Sequence, residues 1–255
     1  MPMRQTLEKY LDWFKSGVKE IVAANDTSGY HSTIIGDGNP SLLFDNRIWR
    51  RDPANDPESL EPRFTNADAI FHLNPKAKII AILRDPVTRL ISEYNYFKED
   101  REEIQSAANF HNLIVRNTKE LRDCMNNHTP RYCLYSFSSD EYWHKTGRVN
   151  VGLYAAHLKE FYRVFPPEQV LVLSMEACGS DYTSCLGKTL NFLELEPIDS
   201  MAIGQKVETK TNKTRLNASK VSVPVWNSTI QLLKDFYKPY NEELTMLLGS
   251  EFNYN

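Results

Sequence analysis

The sequence lacks several things, and each lack excludes a class. No stretch approaches the ~18 uninterrupted apolar residues of a membrane span. Glycine and proline are sparse, 10 and 13 among 255 residues, so the chain is neither collagen-like nor low-complexity. The first 24 residues carry charges throughout and do not read as a signal peptide. There is no excess of positive charge: 30 Lys and Arg face 33 Asp and Glu, for a net charge of −3. That argues against a nucleic-acid binder. There is no Walker-type phosphate loop, which argues against an ordinary P-loop kinase. The four cysteines, Cys124, Cys133, Cys178 and Cys185, match no zinc spacing, and no metal site is expected.

What remains is a chain that is 41% hydrophobic and 255 residues long, enough for a sizeable core. At about 150 residues per domain it makes one large domain or two small ones. The cysteines fit four free thiols or two local bridges. The polar, Pro-containing stretch between Cys124 and Cys133 favours a disulfide there, closing a surface loop. Cys178 and Cys185 are left open. Asn-x-Ser/Thr triplets begin at Asn25, Asn127, Asn212, Asn217 and Asn227, against about 2.5 expected by chance. With a bridge, they tilt toward a luminal or extracellular glycoprotein.

Periodicity predicts a helix over 6–24, a short strand at 33–35, a loop over 45–63 and a helix at 66–73. Residues 78–83 read as a buried parallel strand, followed by a helix from Pro86 that buries Val87, Leu90, Ile91, Tyr94 and Phe97. A charged helix over 98–122 leads into an irregular stretch over 123–150. Then come a helix over 151–165, a strand over 169–173, a helix over 183–193, a polar loop over 199–223 and a closing helix over 230–248. This alternation implies an α/β fold with a mostly parallel sheet.

Chemistry concentrates at the strand–Arg84-Asp85-Pro86–helix junction. In open α/β sheets ligands bind beyond the carboxyl ends of strands. Asp85 is a good N-cap and Pro86 a good first helical residue. A helix N-terminus favours an anion, and an Arg fork matches phosphate oxygens. Arg89 and Ser92, three apart on the helix, would join Arg84 around one anion. Spacing alone equally allows Arg84 to pair with a carboxylate and Ser92 to be solvated.

The run from Lys78 to Phe97 resembles the 3′-phosphate-binding motif of Golgi carbohydrate sulfotransferases. The segments Ile34–Ser41, Cys124–Cys133, Arg148–Tyr154 and Asp235–Asn241 are similar to members acting on chondroitin sulfate, in order and spacing. The resemblance implies a P-loop-NTPase-like sulfotransferase fold, its central sheet flanked by helices. It implies 3′-phosphoadenosine 5′-phosphosulfate (PAPS) as donor, with no metal. Arg84 and Ser92 would hold the donor 3′-phosphate, and Tyr154 matches a recurrent family position near the same helix, where a plain core aromatic is the alternative. Lys213 and Arg215 would lie in a loop closing over the donor. The acceptor would be a sulfated glycosaminoglycan, met by Arg47, Arg50, Arg51 and Arg63, with no nucleic acid involved. The place of work would be the Golgi lumen, with a membrane anchor outside this chain. Asp37 matches an acidic turn near the acceptor, but the Lys usual beside it is absent, so no catalytic role follows and the base is unassigned. The family's Lys-x-Gly-Thr-Thr loop, which wraps the phosphosulfate, occurs nowhere in these residues. By this resemblance residues 1–255 read as a single sulfotransferase domain without its first strand, loop and helix. The alternative is a donor-site-deficient binding module.

Overall fold

Two parallel strands organise the site. In the computed structural model, which describes residues 7–24, 33–97, 106–136, 147–197 and 224–255, β1 (Ile79–Leu83) runs beside β2 (Val170–Ser174), with Ile79 opposite Val170 and Leu83 opposite Ser174. The described α-helices are, in chain order, α1 (Leu7–Asp12), α2 (Lys15–Ala23), α3 (Asn66–Leu73), α4 (Pro86–Tyr96), α5 (Ala107–Asn127), α6 (Pro130–Ser136), α7 (Tyr154–Val164), α8 (Met175–Ser180), α9 (Tyr182–Phe192) and α10 (Asn227–Leu248). No described helix is long and apolar enough to cross a membrane. The chain divides into two compact units, residues 1–40 with 181–213, and residues 41–180 with 214–255.

The larger unit holds both strands. The inward residues of β1, Ala81 and Leu83, pack on Tyr154, Ala155 and Leu158 of α7 and on Leu244 of α10. A second cluster joins Leu90 and Tyr94 of α4 to Phe110 and Ile114 of α5 and to Leu233 and Phe236 of α10. The sequence predicts β1 buried on both faces; instead it alternates, leaving Ile82 64% exposed. The loop predicted over 45–63 is ordered by asparagines. Asn55 donates to the carbonyls of Trp49 and Phe64 and accepts from the Phe64 N–H. Asn66 donates to Leu42 and Asp45, and Asn46 accepts from the Asn66 N–H.

Within the stretch predicted to be irregular, residues 123–136 form a helical corner. Cys124 sits in the last turn of α5 and Cys133 within α6, bridged with Cα atoms 5.9 Å apart. The signals read as loop formers are a helix start: Pro130 occupies the first position of α6 and the Thr129 hydroxyl accepts from the Tyr132 N–H at 3.1 Å. Cys178 and Cys185 are also disulfide-bonded, and no cysteine is free. For a loop of about ten residues, chain entropy assigns the first bridge roughly 2–3 kcal/mol. The double substitution Cys124→Ser/Cys133→Ser should lower unfolding free energy by that amount in urea. An unchanged midpoint with an unchanged slope would count against it.

In the smaller unit the helix predicted over 6–24 is broken. Trp13 and Phe14 donate their N–H groups to the carbonyls of Tyr10 and Leu11, tightening the chain into a turn between α1 and α2. Tyr10 meets the edge of the Phe14 ring at 5.1 Å. Residues 33–35 form no strand. Asp37 accepts from the Tyr10 hydroxyl at 2.9 Å.

Candidate functional site

Arg84 leaves the carboxyl end of β1, and Asp85 caps α4 by accepting from the Thr88 N–H at 2.7 Å. Pro86 takes the first helical position, where its missing N–H costs nothing. The helix places Thr88 one turn from Arg84, and Arg84 Nε donates to Thr88 Oγ1 at 3.1 Å. This leaves the Nη fork of Arg84 with no partner among the described residues. Thr88 and Ser92 are four apart, and both are exposed. The outward stripe is thus Arg84, Thr88, Ser92. Thr88 was missed in the sequence, although its spacing from Ser92 signals a shared ridge.

Arg89 does not join that stripe. It belongs to the neighbouring ridge, whose next member four residues on is Glu93, and that ridge faces inward. The Arg89 guanidinium pairs with Glu93 and donates to the Arg148 carbonyl at 2.9 Å. Arg148 completes the cluster, its Nε 2.9 Å from Glu93. Burial would push the Glu93 carboxyl up. The charges of Arg89 and Arg148 override that and hold it below the usual carboxylate range. The spacing rule that put Arg89 beside Ser92 failed because three residues span neighbouring ridges, and the larger apolar face takes one of them.

Tyr154 comes to the site through Arg84's backbone. It is 4% exposed, and its hydroxyl donates to the Arg84 carbonyl at 2.9 Å. Burial pushes that hydroxyl up to about 12, so it remains a donor at neutral pH. The segment before it can approach because Gly152 has no side chain: a Cβ there would stand 2.9 Å from Pro86 Cβ and 2.7 Å from the Tyr237 ring. The Tyr237 hydroxyl in turn donates to the Val149 carbonyl at 2.8 Å. This explains the Val149–Tyr154 spacing as packing against the start of α4.

From the end of β2, Glu176 accepts from the Asp85 N–H at 2.9 Å, and the Ser174 hydroxyl donates to Glu176 at 3.3 Å. Tyr254 reaches the same cluster from the C-terminus. Burial, together with the charges of Glu176 and Asp85, pushes its hydroxyl up. Neither Glu176 nor Tyr254 was legible as a site residue.

The four loop arginines are not equivalent. Arg47 grips Asp45 with contacts of 2.6 and 2.9 Å. Arg50 stacks over the Trp49 ring at 4.2 Å and donates to the Pro57 carbonyl. Arg51 and Arg63 are exposed, Arg63 lying 5.6 Å from the Phe64 ring centre. Lys213 and Arg215 lie outside the described residues, as do Asn25, Asn212 and Asn217. Asn127 is exposed at the end of α5, its amide donating to the Asp123 carbonyl. Asn227 is exposed at the start of α10, while its partner Thr229 is fully buried against His111 Nδ1 at 2.8 Å. No group of three or more His, Cys, Asp or Glu among the described residues is arranged to hold a metal.

The family follows from the sequence comparisons. Carbohydrate sulfotransferase 15 of Rattus norvegicus is 32% identical over 254 residues, covering 97% of this chain and 44% of that protein. The Homo sapiens protein of the same name is 30% identical over the same span. Heparan sulfate glucosamine 3-O-sulfotransferase 3B1 of Mus musculus is 27% identical over 202 residues, covering 73% of this chain and 45% of that protein. A solved sulfotransferase from Alicyclobacillus acidocaldarius is 22% identical with a TM-score of 0.47, covering 72% of this chain and 59% of that one. The chain thus spans less than half the length of the curated relatives named here. Residues 3–236 match the sulfotransferase domain, and with an α/β core whose first described strand ends at Leu83, just before Arg84, the chain belongs to the sulfotransferase family.

Proposed function

We propose that this chain is the donor-holding part of a PAPS-dependent carbohydrate sulfotransferase that modifies a sulfated glycosaminoglycan in the Golgi lumen. The acceptor best supported by the resemblance is chondroitin or dermatan sulfate, at the 6-hydroxyl of 4-sulfated N-acetylgalactosamine. The observation that carries the reading is the uncommitted Arg84 fork, set by Thr88 at a strand end over the N-terminus of α4, with Ser92 one turn further along. The donor's 3′-phosphate suits that stripe: a fork of charged donors, hydroxyls and helix amides around one dianion. Asp85 spends its carboxylate on capping, which limits its repulsion of the ligand. Arg89 is not a ligand in this reading; with Glu93 and Arg148 it braces α4. Arg51 and Arg63 are the loop arginines best placed for an anionic acceptor, since Arg47 and Arg50 are engaged within the loop.

The reaction would move a sulfuryl group from the phosphosulfate of PAPS to a sugar hydroxyl. The S–O bond to the nucleotide breaks, a new S–O bond forms, and the hydroxyl proton departs. The products are adenosine 3′,5′-bisphosphate and a sulfate ester. The chain's own share is positioning: holding the nucleotide by its 3′-phosphate restricts where the phosphosulfate lies. Titration calorimetry with adenosine 3′,5′-bisphosphate tests this. Arg84→Ala should weaken binding by about 10- to 100-fold, as expected for losing charge-assisted hydrogen bonds to phosphate. Wild-type protein that fails to bind, or binding indifferent to Arg84→Ala, would end the proposal.

A further inference from the structure

The peptide bond between Arg84 and Asp85 is held at both polar ends by side chains from other elements. Its carbonyl accepts from Tyr154 at the start of α7, and its N–H donates to Glu176 in α8, each at 2.9 Å. Glu176 is itself steadied by the Ser174 hydroxyl on its second oxygen. A peptide unit is planar, so its orientation at a strand end is set by the soft dihedrals on either side. Pinning both the oxygen and the N–H removes that rotation. Arg84 hangs from this plane, and α4 starts from it.

Glu176 is otherwise an unfavourable neighbour. A carboxylate beside an anion subsite repels the ligand, and the Asp85 carboxylate is already there. Its position is explained by the hydrogen bond it accepts. We propose that Tyr154 and Glu176 are positioning residues, which clamp the Arg84–Asp85 peptide so that the Arg84 fork and the first amides of α4 converge on one anion. The inference rests on reading Arg84 as the contact for the donor 3′-phosphate.

Two substitutions at one position separate geometry from charge. Glu176→Gln removes the negative charge but keeps an oxygen that accepts from the Asp85 N–H. Glu176→Ala removes both. Binding of adenosine 3′,5′-bisphosphate to the full 255-residue chain is measured by calorimetry for both variants, for Tyr154→Phe and for Arg84→Ala. Exchange of the Asp85 amide is followed by NMR. Glu176→Ala and Tyr154→Phe should each weaken binding about 5- to 10-fold, the size of a lost hydrogen bond at a partly exposed site. Glu176→Gln should bind at least as tightly as wild type. Exchange at Asp85 should quicken in Glu176→Ala and not in Glu176→Gln. If Glu176→Ala binds as tightly as wild type or tighter, the carboxylate acts only through its charge and the clamp is overturned, while the donor reading stands. If wild type shows no Arg84-dependent binding, the donor reading falls and the clamp's role falls with it. Should Tyr154→Phe fail to fold, the Glu176 pair decides alone.

Discussion

Glu93→Ala is expected to lower unfolding free energy by about 3–5 kcal/mol, the cost of removing one partner from a buried ion pair. The size follows from what would be left behind. The Arg89 side chain is 18% exposed and that of Glu93 only 6%. Without the carboxylate, the Arg89 guanidinium retains the Arg148 carbonyl but loses its counter-charge, and Arg148 loses the oxygen 2.9 Å from its Nε. A guanidinium cannot escape by losing its proton, so the charge must be carried or the helix must move. Arg148 has partial relief: its side chain also lies over the rings of Phe44 and Phe97, 5.6 and 5.4 Å from their centres. Arg89 has no such outlet, since the α4 ridge that carries it faces the core. The double variant Arg89→Met/Glu93→Met should therefore recover much of the loss, because removing both charges together avoids the orphan. Urea unfolding of the two variants checks this. A loss under 1 kcal/mol in Glu93→Ala, or a double variant no better than the single, would refute the bracing role given to the pair.

The motif was legible where one residue does one job. Asp85 caps and Pro86 starts α4 because no other local choice suits that junction, and the apolar residues before it fit only a strand. The helices over 66–73 and 230–248 were legible for the same reason; α10 begins only three residues earlier than predicted. Legibility ended where a residue's role depends on a partner far along the chain. Glu176 is an ordinary helix glutamate until β2 is laid beside β1, which brings it against Asp85 across 91 positions of sequence. Tyr154 is buried and also touches the site, through a backbone carbonyl 70 residues away. The 45–63 loop looked unstructured because asparagine bridges leave no hydrophobic period. The break at Trp13–Phe14 lies within an unbroken apolar pattern, so periodicity cannot reveal it.

Stability should fall as the solution is acidified from pH 7 to pH 4, with His157 supplying about 3 kcal/mol of the loss. The ring is fully buried, its centre 6.4 Å from the Phe44 ring centre and 6.3 Å from that of Tyr135. Its Nε2 lies 3.0 Å from the Asn150 carbonyl, so that nitrogen carries the proton. Nδ1 is enclosed with no hydrogen-bond partner among the described residues. A second proton would have to sit on Nδ1, facing no acceptor. Burial is the largest influence and drives the ring from 6.5 down to about 4; the Arg89 charge adds to it, while the Asn150 carbonyl and the Glu160 charge pull the other way. The folded value thus lies below the unfolded one. Above pH 6.5 neither state binds the proton and His157 has no effect. Between 6.5 and about 4 the unfolded chain takes up a proton that the folded chain refuses, so stability falls with pH; below about 4 the effect is complete. About 2 kcal/mol should be gone by pH 5. Glu93, held below the usual carboxylate range, contributes its own loss only at lower pH, as acid reaches its carboxyl. Subtraction isolates the histidine: His157→Gln should be less stable at pH 7.5, yet lose about 2 kcal/mol less than wild type between pH 7 and pH 5 in urea unfolding. Parallel curves for the two proteins across that window would show that His157 takes up its proton as readily folded as unfolded.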